Sequence, residues 1–441
     1  MKFIYVLFFG LCFTLSAQDI LSEKERAVLK DEILADRFDN ILPQLMDKTE
    51  IDMWLLISRE YNEDPVMRTM LPATWLNARR RTIIVFYRNK ETHTFEKLAV
   101  ARYDIGKNIT SAWNKEEQPD QWKRLVDIIK NRNPNKIGIN ISENFGIADG
   151  LVQTDYSEFK KALPIQFHNK LVSAEKLSIA WIETRSKKEM ELYPTLVKIT
   201  HDIIDEAFSS KVITPGETTT DDLVWWMRQK VTDLGLETWF HPTVDIQRNN
   251  EELKSHIYSF SKGAKEKLII PGDLLHCDFG ITYIGLNTDC QQHAYVLKKE
   301  ETKVPEFLSE AFKKGNRVQD IFTSNFVEGQ TGNQILLQSL KGAKEEGLKP
   351  SIYTHPLGVY GHSAGPTIGM WDSQGGVPGS GDYPLYYNTV YAIELNTTVE
   401  IKEWKKDIRI MLEEDGIYGE KGFRYINRRQ EKIKIVNPSS K

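Results

Sequence analysis

The spacing of apolar residues changes period several times along the chain. MWLLIS (53–58), RTIIVFY (81–87), KLAVARY (97–103) and KIGINI (136–141) are short apolar runs that predict strands. Between them, QWKRLVDIIKN (121–131) carries its apolar residues at helical spacing. This interleaving over residues 20 to 170 predicts an α/β domain. The period then lengthens. SKKEMELYPTLVKITHDIIDEAFSS (186–210) predicts a long amphipathic helix with Leu196, Val197, Ile203, Ile204, Ala207 and Phe208 on one side, stopped by Pro215-Gly216. Thr219 or Thr220 is placed to cap the next helix, DDLVWWMRQKVTDLG, whose acidic residues lie at its positive end. Further helices are expected over 304–315 and 330–346. Strands return in YNTVYAIELN (387–396), IRIMLEE (408–414) and GFRYIN (422–427). Helices and strands are mixed rather than alternating in this second part, which reads as α+β.

The first residues break the pattern. Met1-Lys2 precede the apolar run FIYVLFFGLCFTL, and Ser16-Ala17 follow it. A positive start, a short apolar stretch and a small-residue end form a secretory leader, with cleavage expected after Ala17. The run is short for a membrane span, although an uncleaved anchor is the alternative. The expected organisation is a leader over 1–17, an α/β domain over 18–172 and a larger domain over 173–441. The expected location is outside the cytoplasm, periplasmic or extracellular, with no membrane attachment after cleavage.

Composition narrows the partners. The chain has 441 residues, of which 27% are charged, with a formal net charge of −4 and no long basic block, so nucleic acid is not an expected partner. There are three cysteines, and Cys12 would leave with the leader. Cys277 and Cys290 remain, as one disulfide or two buried thiols.

The candidate chemistry begins in HCDFGITYIGLNTDC (276–290), which reads as a hairpin with its bend at Gly285 and Asn287. With the turn centred between Asp278 and Asp289, the two aspartates would face each other on one side and the two cysteines on the other. Facing carboxylates repel unless one holds a proton or a cation sits between them. THPLGVYGHSAGPTIGMWD (354–372) adds His355 and His362, seven apart in a glycine-rich loop with no phosphate-loop Gly-Lys-Ser/Thr. Glu394 lies inside the apolar strand VYAIELN, while Glu413 and Glu414 end another. Acidic groups in apolar strands need a partner. Two Asp, one His and two Glu form an oxygen-rich set with one nitrogen, suited to divalent ions such as manganese better than to a structural zinc.

In order and spacing, these residues resemble the pita-bread metallopeptidases: methionine aminopeptidase, aminopeptidase P and prolidase. The resemblance covers roughly residues 175 to 430, and the preceding α/β domain is similar to the creatinase-type arrangement of aminopeptidase P and prolidase. It implies a pita-bread catalytic domain, a peptide substrate cleaved at Xaa-Pro, and in many members a homodimer. It also implies two divalent metal ions, with Mn2+ favoured over Co2+, Fe2+ or Zn2+. On that resemblance Asp289 and Glu414 would bridge the metals, Asp278 would hold one, and His355 with Glu394 the other. The metals would share the attacking water or hydroxide. Glu394 would move its proton to the leaving amine, and His362 would contact the substrate carbonyl. An upstream histidine of the family corresponds to His256 or His241. Glu413 is the alternative to Glu414, which is preferred because Asp415 follows it.

Three departures stand out. Cys290-Gln291-Gln292 replace the family's usual Thr-Arg after the second aspartate. Leu395-Asn396 replace Pro-Gly, and Leu412 replaces an arginine. Two other functions compete: a metal-free pita-bread protein that binds a ligand or partner, and a creatinase-like hydrolase of a small guanidino compound. Retention of the five ligand-type residues argues against both.

Overall fold

An unbroken apolar run such as MWLLIS suits a strand covered on both faces. The computed structural model describes residues 20–249 and 266–437. In it β1 (Met53–Arg59) sends Trp54 and Leu56 into one core and Met53, Leu55 and Ile57 into another. With β2 (Arg81–Asn89), β3 (Thr94–Val100), β4 (Thr110–Ser111), β5 (Ile137–Ile139) and β6 (Leu171–Ser173) it forms a mixed sheet of order β4-β3-β2-β1-β5-β6. α1 (Glu23–Asp36) and α2 (Leu42–Thr49) cover one face, followed in the chain by the single turn α3 (Pro65–Arg68). α4 (Gln121–Arg132) and α5 (Gln153–Ala162) cover the other face. α6 (Glu175–Glu183) returns to the first face, where Trp181 stacks on Phe38 at 5.6 Å. The expected leader, residues 1–17, lies outside the described residues, as does His256. Among the described residues no helix is long and apolar enough to cross a membrane.

α7 (Lys187–Ala207) starts at a capping box between Ser186 and Glu189. α8 (Thr220–Asp233) starts at a second one, in which Thr219 rather than Thr220 is the cap and Asp222 its partner. The two helices pack on the sheet of β7 (Thr243–Gln247) and β8 (Leu274–Phe279). The short strands β9 (Thr282–Tyr283) and β10 (Leu286–Asn287) carry the hairpin from β8 to β11 (Cys290–Val296), which joins the same sheet. α9 (Glu306–Ser324) and α10 (Gly332–Glu345) cover the later strands. These are β12 (Pro350–Ile352), β13 (His355–Leu357), β14 (Thr389–Ala392), β15 (Leu395–Ile401), β16 (Lys406–Leu412), β17 (Asp415–Gly419), β18 (Gly422–Tyr425) and β19 (Lys434–Val436). They divide into two sheets, β12-β15-β16 and β13-β14-β17-β18, while β19 pairs with β11.

The chain crosses between those two sheets three times. β12 passes into β13 through Tyr353-Thr354, β14 into β15 through Ile393-Glu394, and β16 into β17 through Glu413-Glu414. YNTVYAIELN is therefore two strands and not one. A crossing interrupts the two-residue alternation of side chains, so a residue's face there cannot be counted from the strand before it.

One buried acid lies away from these crossings. Glu183, the last residue of α6, is 2% exposed and its Oε2 has no hydrogen-bond partner. Burial outweighs the charges of Lys48 and Arg185 and pushes its carboxyl up to about 8. A folded-state pKa above the unfolded one means that the native state loses stability as pH rises from the unfolded pKa to the folded one. Glu183→Gln should therefore gain stability over the parent across pH 4.5 to 8, by of order 3 kcal/mol near neutrality, and level off above that. Urea melts at pH 5 and pH 7.5 check this. A difference that does not grow with pH refutes it.

Candidate metal centre

The hairpin tip decides which side chains meet. Tyr283 pairs with Leu286, so Ile284 and Gly285 form the turn, with φ of 54° and 77°. Positive φ at both positions marks a two-residue turn whose twist matches the flanking strands. The tip thus sits one residue later than facing aspartates require, which slides the pairing by two. Gln291 lies opposite Asp278, and Gln292 opposite Cys277. A slip of two preserves the faces. His276, Asp278, Asp289, Gln291 and His293 share one face, with the aspartates diagonal to each other. Cys277 and Cys290 turn to the α7 side, not opposite one another, and both are buried free thiols. The back-face disulfide is therefore absent. Burial pushes both thiols upward, which makes them poor nucleophiles.

β13 begins at His355 and brings its ring to the aspartate face. His355 Nε2 lies 3.6 Å from Asp289 Oδ2 and 3.6 Å from Glu413 Oε1, too far for direct hydrogen bonds. Its Nδ1 lies 3.1 Å from the Pro356 carbonyl, an arrangement that fixes the ring and turns Nε2 toward the acids. Asp278 interacts with both Asp289 and Glu394. Burial comes first in raising Asp278, Glu394 and Glu413 well above the carboxylate range. Repulsion adds to it, from Asp289 on Asp278 and Glu413, and from Glu413 on Glu394. Burial would lower His355, but the Asp289 and Glu394 carboxylates outweigh it and hold the ring up at about 9.

Asp278 Oδ1, Asp289 Oδ1, His355 Nε2 and Glu413 Oε1 are all buried without a hydrogen-bond partner. Such atoms are rare in folded proteins, and four on side chains that face one another across this site fit bound cations. Asp289, His355 and Glu413 each place a ligand atom within 4.8 Å of the others. Of the five expected ligands, Asp278, Asp289, His355 and Glu394 thus come together.

Glu414 does not join them. At the β16–β17 crossing it is Glu413 that turns to the aspartate face, in a backbone bridge with Gln291. Glu414 points to the back, where Oε2 meets His201 Nε2 at 2.6 Å and Oε1 accepts from Gln292 Nε2 at 2.7 Å and Gln430 N at 3.0 Å. The acidic residue following each glutamate misled the sequence reading. Strand parity could not correct it, because the crossing resets parity.

The histidines divide similarly. His362 is exposed, with its ring 4.7 Å from that of His355 and edge-on. Partial burial and the facing His355 lower its basicity. Behind it stands Trp239, edge-to-face at 5.3 Å, with Nε1 bonded to the Thr288 carbonyl at 2.9 Å. A Cβ on Gly361 would fall 2.2 Å from that indole, so only glycine lets the loop close on it. His241 is elsewhere, exposed against Trp225 and Arg228. Trp239, His276 and Gln291 were missed in the sequence. The last two could have been found by counting in twos from Asp278 and Asp289.

No curated protein matches the sequence significantly. Among solved structures, the chain resembles the X-Pro aminopeptidase of Thermotoga maritima MSB8 with a TM-score of 0.61 and 16% identity, covering 89% of this chain and 100% of that one. The Xaa-Pro dipeptidase of Bacillus anthracis gives 0.55 and 18%, covering 93% and 99%. The prolidase of Pyrococcus furiosus gives 0.53 and 16%, covering 88% and 99%. At these identities the likeness establishes the fold. The family model of Metallopeptidase family M24 matches residues 193–424, a span that contains every acid and histidine of the cluster. With more than half its length inside that match, and the cluster on the sheets it covers, the chain belongs to metallopeptidase family M24.

Proposed function

We propose that this chain is an exported di-metal exopeptidase that hydrolyses peptide bonds at Xaa-Pro. The observation that carries the metal part is the set of four unpartnered ligand atoms on Asp278, Asp289, His355 and Glu413. Asp278, Asp289, His355, Glu394 and Glu413 would hold the ions, with manganese favoured. The Xaa-Pro part is supported by the solved structures of similar fold, named as X-Pro aminopeptidase, Xaa-Pro dipeptidase and prolidase. Export is supported by the leader-like first 17 residues.

Bound divalent ions supply a nucleophilic water at neutral pH and polarise the scissile carbonyl. The protein supplies the rest. Glu394 accepts the proton of the attacking water and returns it to the leaving amine. His362, exposed beside His355 and braced by Trp239, contacts the substrate carbonyl.

The test is metal content and cleavage of Xaa-Pro dipeptides and tripeptides, with and without chelator. Two ions per chain and chelator-sensitive turnover restored by Mn2+ are expected. Asp289→Asn should abolish turnover while the fold survives, as read by circular dichroism. Chelator-insensitive cleavage, or a fully active Asp289→Asn, refutes the proposal.

A further inference from the structure

Gln291 lies in the Cys290-Gln291-Gln292 run that replaces the family's usual Thr-Arg, and its side chain is used to the full. It is 3% exposed. Its Nε2 donates to Glu394 Oε1 at 2.5 Å and to Glu413 Oε2 at 2.9 Å, and its Oε1 meets His276 Nε2 at 3.0 Å. This orientation sets the NH2 group against the two glutamates that ionise to hold a cation, and the oxygen against His276. One NH2 group thus spans the two glutamates whose mutual repulsion is strong.

The choice of oxygens matters. Gln291 occupies Glu413 Oε2 and leaves Glu413 Oε1, the unpartnered atom that lies 3.6 Å from His355 Nε2. It occupies Glu394 Oε1 and leaves Oε2. The backbone locks the same residues together: Gln291 N donates to Glu413 O at 3.0 Å, and Glu413 N to Gln291 O at 3.3 Å.

We infer that Gln291 is a positioning residue, whose amide fixes which oxygen of Glu394 and which of Glu413 faces the metal ions. A threonine hydroxyl has one proton to donate and cannot bridge both acids in this way. The neutral amide also adds no charge to compete with a cation. The other cluster of ligand type among the described residues, His201, Cys290 and Glu414, lacks this open geometry, since His201 and Glu414 are already joined by a hydrogen bond.

The inference rests on the metal reading, and the experiment separates the two. Metal-free full-length protein is titrated with Co2+, and binding is read from visible absorption. Gln291→Met fills similar space without donating, and Gln291→Ala removes the group. Both should bind Co2+ about 10- to 100-fold more weakly than the parent, the usual loss when a ligand's supporting hydrogen bond is removed. Losing three hydrogen bonds should lower their metal-free melting temperatures by a few degrees, yet both should stay folded by circular dichroism at the titration temperature, and KM should hold when Mn2+ is saturating. A space-filling role would leave Gln291→Met unchanged, so parent-like Co2+ binding by that variant overturns the inference alone. If Gln291→Met does not fold, Gln291→Leu, which also fills the space without donating, gives the same reading. A parent that takes up no Co2+ overturns the metal reading and this inference with it.

Discussion

Glu413→Gln should lose at least about 1000-fold in turnover and lose metal, whereas Glu414→Gln should keep both metal and most activity. The two residues are neighbours in sequence and equally buried, each 1% exposed. What separates them is direction. Glu413 Oε1 is open toward His355, and Glu413 is one of three gathered ligand-type residues, with Asp289 and His355. Glu414 spends both oxygens on His201, Gln292 and Gln430. Its amide variant breaks a buried hydrogen-bonded pair and should cost about 1–3 kcal/mol of stability. The two variants therefore fail in different assays. Metal content and kcat/KM distinguish them, with urea melts as the control. An inactive, metal-free Glu414→Gln beside an active Glu413→Gln would restore the order that the sequence suggested.

That reversal shows where sequence reasoning holds and where it stops. MWLLIS, RTIIVFY and the helix after Ser186 were legible because each element has one period from end to end. The cap of α8 was legible to within one residue, Thr219 or Thr220, because a cap is local, whereas the Ser186–Glu189 capping box went unread. The aspartate hairpin was legible as to faces but not as to partners, since its register depends on a turn that tolerates Ile284 at positive φ, where a β-branched residue is unusual. The glutamates were legible as a group and not individually. They lie where strands leave one sheet for another, and no periodic rule crosses that gap. His201 and Trp239 act from other elements and carry no local signal at all.

The link between the two halves of the molecule yields the largest expected loss of stability. Glu189 caps α7 and is 2% exposed. Its Oε2 meets Arg37 Nη1 from the N-terminal layer at 2.6 Å, and its Oε1 meets Arg185 Nη1 at 2.9 Å. Both arginines are buried, at 4% and 3% exposure. Burial acts to raise the Glu189 carboxyl, but the two guanidinium groups prevail and hold it below its usual range. A single carboxylate thus serves as the shared partner of two desolvated cations. Glu189→Ala strands both and should cost about 3–5 kcal/mol, or on the order of 10 °C in melting temperature. Glu189→Gln keeps some hydrogen bonding and should cost less. The damage should reach the metal centre, because the Arg185 guanidinium packs within 3.0 Å of where a Cβ on Gly358 would lie, in the loop between His355 and His362. Saturating Mn2+ should accordingly recover part of the melting temperature, since an ion that binds only the folded state draws the loop back into place. A loss below about 1 kcal/mol would mean that solvent reaches the arginines once the carboxylate is gone, so that the triad is not a desolvated junction.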